Sequence, residues 1–359
     1  MTLIEPEPDP TIFLAKKIID FNTESNPHPT TTKTLKIDLE SLIILADKYN
    51  AKIYKKSENL IDDKPTLDQI TGVVISTNHA SHAEIGIMFM KVNKHVFIEK
   101  PMTVCIKDAQ LLAKTADEHP NLTLMVNHTS NFRQKCLKAK QLIDSGKLGK
   151  INHVLAVMYA PLLWMFEDPD NTSYTKPTGS MLANGFGWGQ ICHLLGWVHY
   201  VTNLKSKEIT AVMHFSKKSG ADLINAGLVK CQNGESISIS AGTCWPGTGV
   251  TTAEMSKHFD IKILRSEGVM SYGGKDTDEK SGRLEIRLYD DTDGMVFEGF
   301  NMENAGPGGL GPESLRNFVE ACNGGQFVNA CDQHVGLRVV ETVHGLYESG
   351  VKGGTYIVE

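Results

Sequence analysis

Gly72-Val73-Val74-Ile75-Ser76-Thr77-Asn78-His79-Ala80-Ser81-His82-Ala83-Glu84 is the stretch that decides the fold. Its first five residues form a continuous apolar run, the pattern of a strand buried on both faces. Ser81-His82-Ala83-Glu84 reads as a capping box, with the Ser side chain on the N3 amide and the Glu reaching back. The helix it would start, Ala83–Val92, carries Ile85, Met88, Phe89 and Val92 on one side. A second apolar run, His95–Ile98, follows. Then come a helix over about Ile106–Asp117, a stop at Pro120 and a strand at Leu122–Val126. Buried strands alternating with helices predict a parallel sheet covered on both faces.

Upstream, Thr34–Ile37 is a short strand candidate, and Leu42, Leu45, Ala46 and Tyr49 have helical spacing. The first 34 residues look different and contain no glycine. Glu5-Pro6-Glu7-Pro8-Asp9-Pro10 cannot be a helix or a central strand, because alternate prolines remove amide donors. Thr11–Asn22 reads as a short helix, with Ile12, Ala15, Ile18 and Ile19 on one side, and Asn26–Thr32 as a polar connector.

Downstream the texture changes near Asn127. A helix, Gln134–Ser145, ends at Gly146, and longer, alternating strands follow: Ile151–Tyr159, Glu208–His214, Ile224–Gln232, Glu235–Gly242, Phe259–Leu264 and Arg283–Tyr289. Asn233-Gly234 is a type I′ hairpin signal and Asp293-Gly294 a second. Two helices, Glu313–Cys322 and His334–Glu348, close the chain. The expected class is α/β. A parallel-sheet domain spans residues 1–127, with 1–34 atypical, and an α/β domain with an open antiparallel sheet spans 128–359.

The 359 residues are 41% hydrophobic and 22% charged, with net charge -6. This excludes a disordered, collagen-like or disulfide-stapled chain and argues against a nucleic-acid footprint. The apolar runs are too short to cross a bilayer, and no N-terminal stretch pairs a basic region with an apolar core. The seven scattered cysteines form no Cys-x-x-Cys, which predicts a reduced, cytoplasmic protein without a zinc site. His79 and His82 have metal-like spacing, but no third ligand is near, so no metal is expected.

In an open parallel sheet, ligands bind outside the carboxyl ends of the strands. Two segments fall there. Ser76-Thr77-Asn78-His79-Ala80-Ser81-His82 leaves one strand and enters a helix whose N-terminus favours polar or anionic groups. Glu99-Lys100-Pro101 ends the next strand, with Lys100 at the crevice and Pro101 fixing the backbone. The plainer reading of Lys100 is a surface charge.

Glu99-Lys100-Pro101 after an apolar strand resembles the signature of the Gfo/Idh/MocA oxidoreductases. Ser76-Thr77-Asn78-His79-x-x-His82 is similar to that family's Thr-Pro-Asn-x-x-His turn, with Asn78 in place of Pro. Leu142–Ile151 resembles its helix-to-strand passage between domains, Arg265-Ser266-Glu267-Gly268 its Gly-Thr-Glu-Gly turn, and Gly336–Glu341 the opening of its last helix. The likeness runs from about Lys33 to the C-terminus. It implies a Rossmann domain binding NAD or NADP, and a second domain whose open sheet pairs subunits into a dimer or tetramer. It also implies hydride transfer to or from a sugar, polyol or cyclitol-type small molecule. Lys100 matches the catalytic Lys of the family and would stabilise charge on the reacting oxygen. His193, in Trp188-Gly189-Gln190-Ile191-Cys192-His193, matches its acid/base His. The plainer reading of His193 is a buried helix-face residue among Ile191, Leu194, Leu195 and Val198.

Two positions depart from the family. Many members carry an Asp four residues before the His, where this chain has Gly189; Gln190 and Asn184 cannot titrate in its place. The Gly-x-Gly-x-x-Gly fingerprint expected near the N-terminus is missing, and the carboxylates and prolines of residues 5–10 stand where the loop is expected. Two readings follow: a normal dehydrogenase whose first strand a gene model or splice variant has removed from this sequence, or a sugar- or ligand-binding regulatory relative that no longer holds a dinucleotide. A glycoside hydrolase using tightly held NAD on the same fold is a third. Asp38 is the nearest acid for the ribose, with Lys36 where the acid usually stands, so NAD and NADP both stay open. Asn127 would line the nicotinamide side together with His128, a candidate for substrate contact, as are Gln190 and the sugar-stacking candidates Trp164 and Trp188.

Overall fold

The computed structural model describes residues 12–13, 51–54, 56–244, 257–275, 280–290, 294–299 and 313–358. The expected strand at Thr34–Ile37, the helix around Leu42–Tyr49, and Lys36 and Asp38 lie outside the described residues.

Among the described residues, the quoted stretch supplies an inner strand of a four-stranded parallel sheet. Its strands are β1 (Ile12–Phe13), β2 (Gly72–Ile75), β3 (His95–Ile98) and β4 (Leu124–Val126), in that order. Gly72 pairs with His95, and Val96 with Leu124. Val73 to Ile75 and Val96 to Ile98 are buried, because helices cover both faces. Helix α1 (His82–Lys91) follows β2, and α2 (Ile106–Glu118) follows β3.

Three expectations for this half change. Ile12 and Phe13 form a strand parallel to β2, paired with Gly72 and Val73, where a helix over Thr11–Asn22 was expected. A parallel sheet offers an edge hydrogen-bond ladder that a short apolar segment satisfies better than one amphipathic turn. The Glu5–Pro10 run therefore precedes β1 and is not the turn at its carboxyl end. Thr11 and residues 14–22 of the expected helix lie outside the described residues. The capping box also shifts. Asn78, not Ser81, caps the helical segment, its side chain accepting the Ser81 amide at 3.2 Å. A 3-10 turn, His79–Ser81, leads straight into α1, so Ser81 is already helical and its hydroxyl bonds Thr77 at 2.8 Å.

After helix α3 (Gln134–Asp144), a nine-stranded sheet is built from β5 (Ile151–Tyr159), β6 (Ser206–Phe215), β7 (Asp222–Cys231), β8 (Ser236–Gly242), β9 (His258–Arg265), β10 (Gly268–Lys275), β11 (Arg283–Leu288), β12 (Met295–Glu298) and β13 (Thr355–Ile357). Its order is β12-β11-β10-β9-β5-β8-β7-β6-β13. The expected antiparallel sheet is mixed: β5 and β8 run parallel, with His153 opposite Ser236. The intervening helix α4 (Cys192–Thr202) and strands β6 and β7 supply the crossover such a pair needs. The Asn233-Gly234 hairpin is not type I′, since only Gly234 has positive φ (97°). The Gly234 amide bonds Cys231 at 3.2 Å, a type I turn closed by a left-handed glycine.

The chain then returns to the first sheet. Helix α5 (Glu313–Cys322) sets Phe318 against Phe97, ring centroids 5.3 Å apart. Helix α6 (Gln333–Lys352) packs against α2, α4 and β6, joining the two sheets in one core.

Candidate active site

The carboxyl ends of β2, β3 and β4 meet the start of α4. The peptide bond between Lys100 and Pro101 is cis, and Lys100 Nζ donates to the Gly189 carbonyl at 2.9 Å. Gly189 lies in a single π-helical turn, Gly187–Ile191, that runs into α4. His193 is the second residue of α4 and only 6% exposed. Lys100 and His193, from different sheets' connections, thus converge on one turn. Wide turns of this kind recur at functional sites because they re-aim the helix that follows.

The electrostatics agree with that proximity. Burial holds the His193 imidazole well below its usual range, and the positive charges of Lys100 and Lys257 press in the same direction. His128, fully buried at the end of β4, stands edge-on to His193 with ring centroids 5.9 Å apart. Burial, with Lys100 and His199, pushes His128 down to about 3. Neither of its ring nitrogens has a hydrogen-bond partner, nor does the buried Oε1 of Gln190 in the neighbouring turn. Orphaned polar atoms of this kind are what a polar ligand satisfies. Among the described residues, no three His, Cys, Asp or Glu side chains gather as they would around a metal ion, and no helix is long and apolar enough to cross a membrane.

The remaining sequence candidates divide by what they touch. Ser76, Thr77 and His79 line the end of β2, half-buried, beside the exposed Asn78. Burial, with His82 and Lys100, brings His79 down to about 3. His82 does not face a ligand space. It is fully buried, and its ring nitrogens reach the carbonyls of Pro101 at 3.0 Å and Thr77 at 3.3 Å, tying the two turns together. Asn127 is likewise committed inside the protein, donating to Glu99 at 2.6 Å and accepting from Ser314 at 2.7 Å. Trp188 is 1% exposed and stacks on Tyr347 at 5.8 Å, a core position and not a sugar platform. Trp164 is 54% exposed on the short helix Leu163–Phe166. Asn184 spends its amide on the carbonyls of Lys176 (2.9 Å) and Ser173 (3.2 Å), away from His193.

Sequence reading missed Lys257, which is 6% exposed and bears on His193. It also missed the buried network of Asp222 and Tyr347 under the wide turn. The glycines at 185, 187 and 189 were the available signal, since glycine weakens the interior of a regular helix or strand.

Two family models match the chain. One, described as oxidoreductase family, NAD-binding Rossmann fold, covers residues 13–128; the other, the GFO/IDH/MocA C-terminal domain, covers 136–268. Inositol 2-dehydrogenase of Salmonella typhimurium is 28% identical over 106 residues, 29% of this chain and 30% of that protein. The chain therefore spans under a third of that relative's length. An oxidoreductase from Agrobacterium radiobacter, solved with NAD+, L-tartaric acid and magnesium, shares the fold with TM-score 0.66 and 16% identity, covering 89% of each chain. Levoglucosan dehydrogenase, solved with NADH and levoglucosan, matches with TM-score 0.66 and 18% identity over 89% of this chain and 87% of its own.

Proposed function

The chain belongs to the Gfo/Idh/MocA oxidoreductase family, and from that premise we propose that it moves a hydride between a nicotinamide dinucleotide and a CH–OH carbon of a sugar, polyol or cyclitol. The observation that carries the reading is the Lys100–Gly189 bond at 2.9 Å, which brings a cation to the turn that delivers a neutral, buried imidazole.

In alcohol oxidation, His193 takes the hydroxyl proton while Lys100 stabilises negative charge on the same oxygen. A neutral His193 near pH 7 is the form that accepts this proton in oxidation and, once protonated, returns it in reduction. Burial of His193 and His128 keeps water from the transferring proton. The orphaned nitrogens of His128 and the Oε1 of Gln190 would orient further substrate hydroxyls. Thr77, Asn78 and His79 at the end of β2, with Glu99 beside Lys100, would hold the nicotinamide and its ribose. The dinucleotide, when bound, supplies or takes up the hydride. His82 and Asn127 act behind these groups, fixing the turns that carry them.

One observation favours a second reading. The sequence has no glycine before Gly72, so no glycine turn follows β1. A chain unable to seat the pyrophosphate there would be a ligand-binding relative without turnover. Calorimetry with NADH and NADPH separates the two. Binding at micromolar concentrations supports the dehydrogenase and selects the cofactor; no binding at millimolar cofactor supports the relative. With a substrate in hand, Lys100→Met and His193→Ala should each lower kcat about a hundredfold or more. Turnover like that of the unmodified protein in both variants would remove the assignment.

A further inference from the structure

We infer that Asp222 is a positioning residue for Lys100, acting through the wide turn at Gly187–Ile191; this rests on the catalytic reading of Lys100 above. Asp222 opens β7 and is fully buried. Its carboxylate accepts the Gly187 amide at 2.9 Å and the Asn225 side-chain amide at 2.7 Å. It also accepts the hydroxyl of Tyr347, from α6, in a short hydrogen bond. The Tyr347 hydroxyl in turn accepts the Trp188 amide at 3.4 Å, and the two rings stack with planes 10° apart. The first two amides of the turn therefore end on Asp222, one directly and one through Tyr347. The third, from Gly189, closes on Gly185 at 2.9 Å, leaving the Gly189 carbonyl for Lys100.

This arrangement answers a question of backbone satisfaction. At a π-helical turn the regular amide ladder is interrupted, and buried amides need other acceptors. A buried carboxylate is a costly acceptor unless several donors meet it, and here three do. Charge-assisted bonds to backbone amides are the stronger kind, so the turn is held by the acceptor that resists displacement best. The rest of α4 is anchored separately. Asn131 donates to the Gly196 carbonyl at 3.0 Å, and His199 Nε2 lies 2.9 Å from the Thr342 hydroxyl. Removing the Asp222 charge therefore loosens the turn while the helix stays docked.

The experiment compares Asp222→Asn and Tyr347→Phe with the unmodified protein. Tyr347→Phe keeps the stacked ring and removes only the hydroxyl relay. Reductive methylation of Lys100, followed by mass spectrometry, reads the amine without needing turnover. Both variants should methylate Lys100 several-fold faster, Asp222→Asn the more so, with native circular dichroism. Where the protein turns over a substrate, kcat should fall about tenfold or more with cofactor Kd unchanged, since small displacements of a catalytic group cost that much. Unchanged Lys100 reactivity in two folded variants overturns the proposal. Faster labelling in a protein without dehydrogenase activity upholds the positioning while removing the proposed reaction.

Discussion

Gly189 stands four residues before His193, where the family resemblance leads one to expect an acid, and the space around it leaves no room for one. A Cβ at residue 189 would stand 3.0 Å from Phe166 Cζ and 3.2 Å from its Cε1. Phe166 is fully buried and wedged edge-on against Phe186 and Tyr174, at 5.7 and 6.0 Å, so it has nowhere to retreat. Gly189→Asp should therefore fail to restore an acid beside His193. It should instead destabilise the protein by about 2 kcal/mol, from overpacking plus an unpaired buried carboxylate. A urea denaturation midpoint within error of the unmodified protein would contradict this. The sequence shows that the acid is missing, but Phe166 is 23 positions earlier. Only the fold brings the ring to the gap.

Helix α4 illustrates which parts of an element can be read in advance. The apolar spacing of Ile191, Leu194, Leu195 and Val198 announces a buried helix, and all four are buried. The wide turn ahead of it is not legible, because its stability comes from Asp222 and Tyr347, far along the chain. Strands fare the same way. Ile151–Tyr159 alternates cleanly and is found with those bounds. Gly268–Lys275, with Gly273-Gly274 near its end, is not among the expected strands, but forms β10 because β9 and β11 pair with it on both sides. Within α4, Gly196 is a test of docking. Replacing a mid-helix glycine with alanine gains up to about 1 kcal/mol of helix propensity. Here the added Cβ would stand 2.8 Å from the ring of His128. That ring is fully buried, so an overpacking cost of about 1–3 kcal/mol should exceed the gain. Gly196→Ala should lower the denaturation midpoint and displace His128. A midpoint that rises would show that the turn carrying His128 yields freely.

Across the whole molecule, the buried histidines outweigh the other shifted groups in setting acid stability. His79, His128 and His199 are each brought down from 6.5 to about 3, and burial is the first cause in every case. His193 moves the same way. They lie at the ends of β2 and β4 and along α4, where the two sheets meet, so each is neutral only while that junction stays closed. An unfolded chain takes up protons on these rings near pH 6.5, whereas the folded protein does not. Their stabilisation is complete above that pH and is lost as pH falls towards 3. Glu341 acts oppositely, raised from 4.5 to about 6 by burial, and the buried Asp222 is also raised. Those two gain stability as pH falls, but Glu341 travels less than half as far as any of the three histidines. Asp63, held low by Tyr54 and Thr66, gives stability that is complete above the ordinary carboxylate range and is lost only below it, which leaves the upper window to the histidines. The urea midpoint should therefore decline steadily between about pH 7 and pH 5 at fixed ionic strength. In the His199→Gln variant, where an amide can keep the bond to Thr342 without titrating, the decline should be shallower. A midpoint that is level or rising over that interval would mean that the junction opens to water and the imidazoles are not buried in solution.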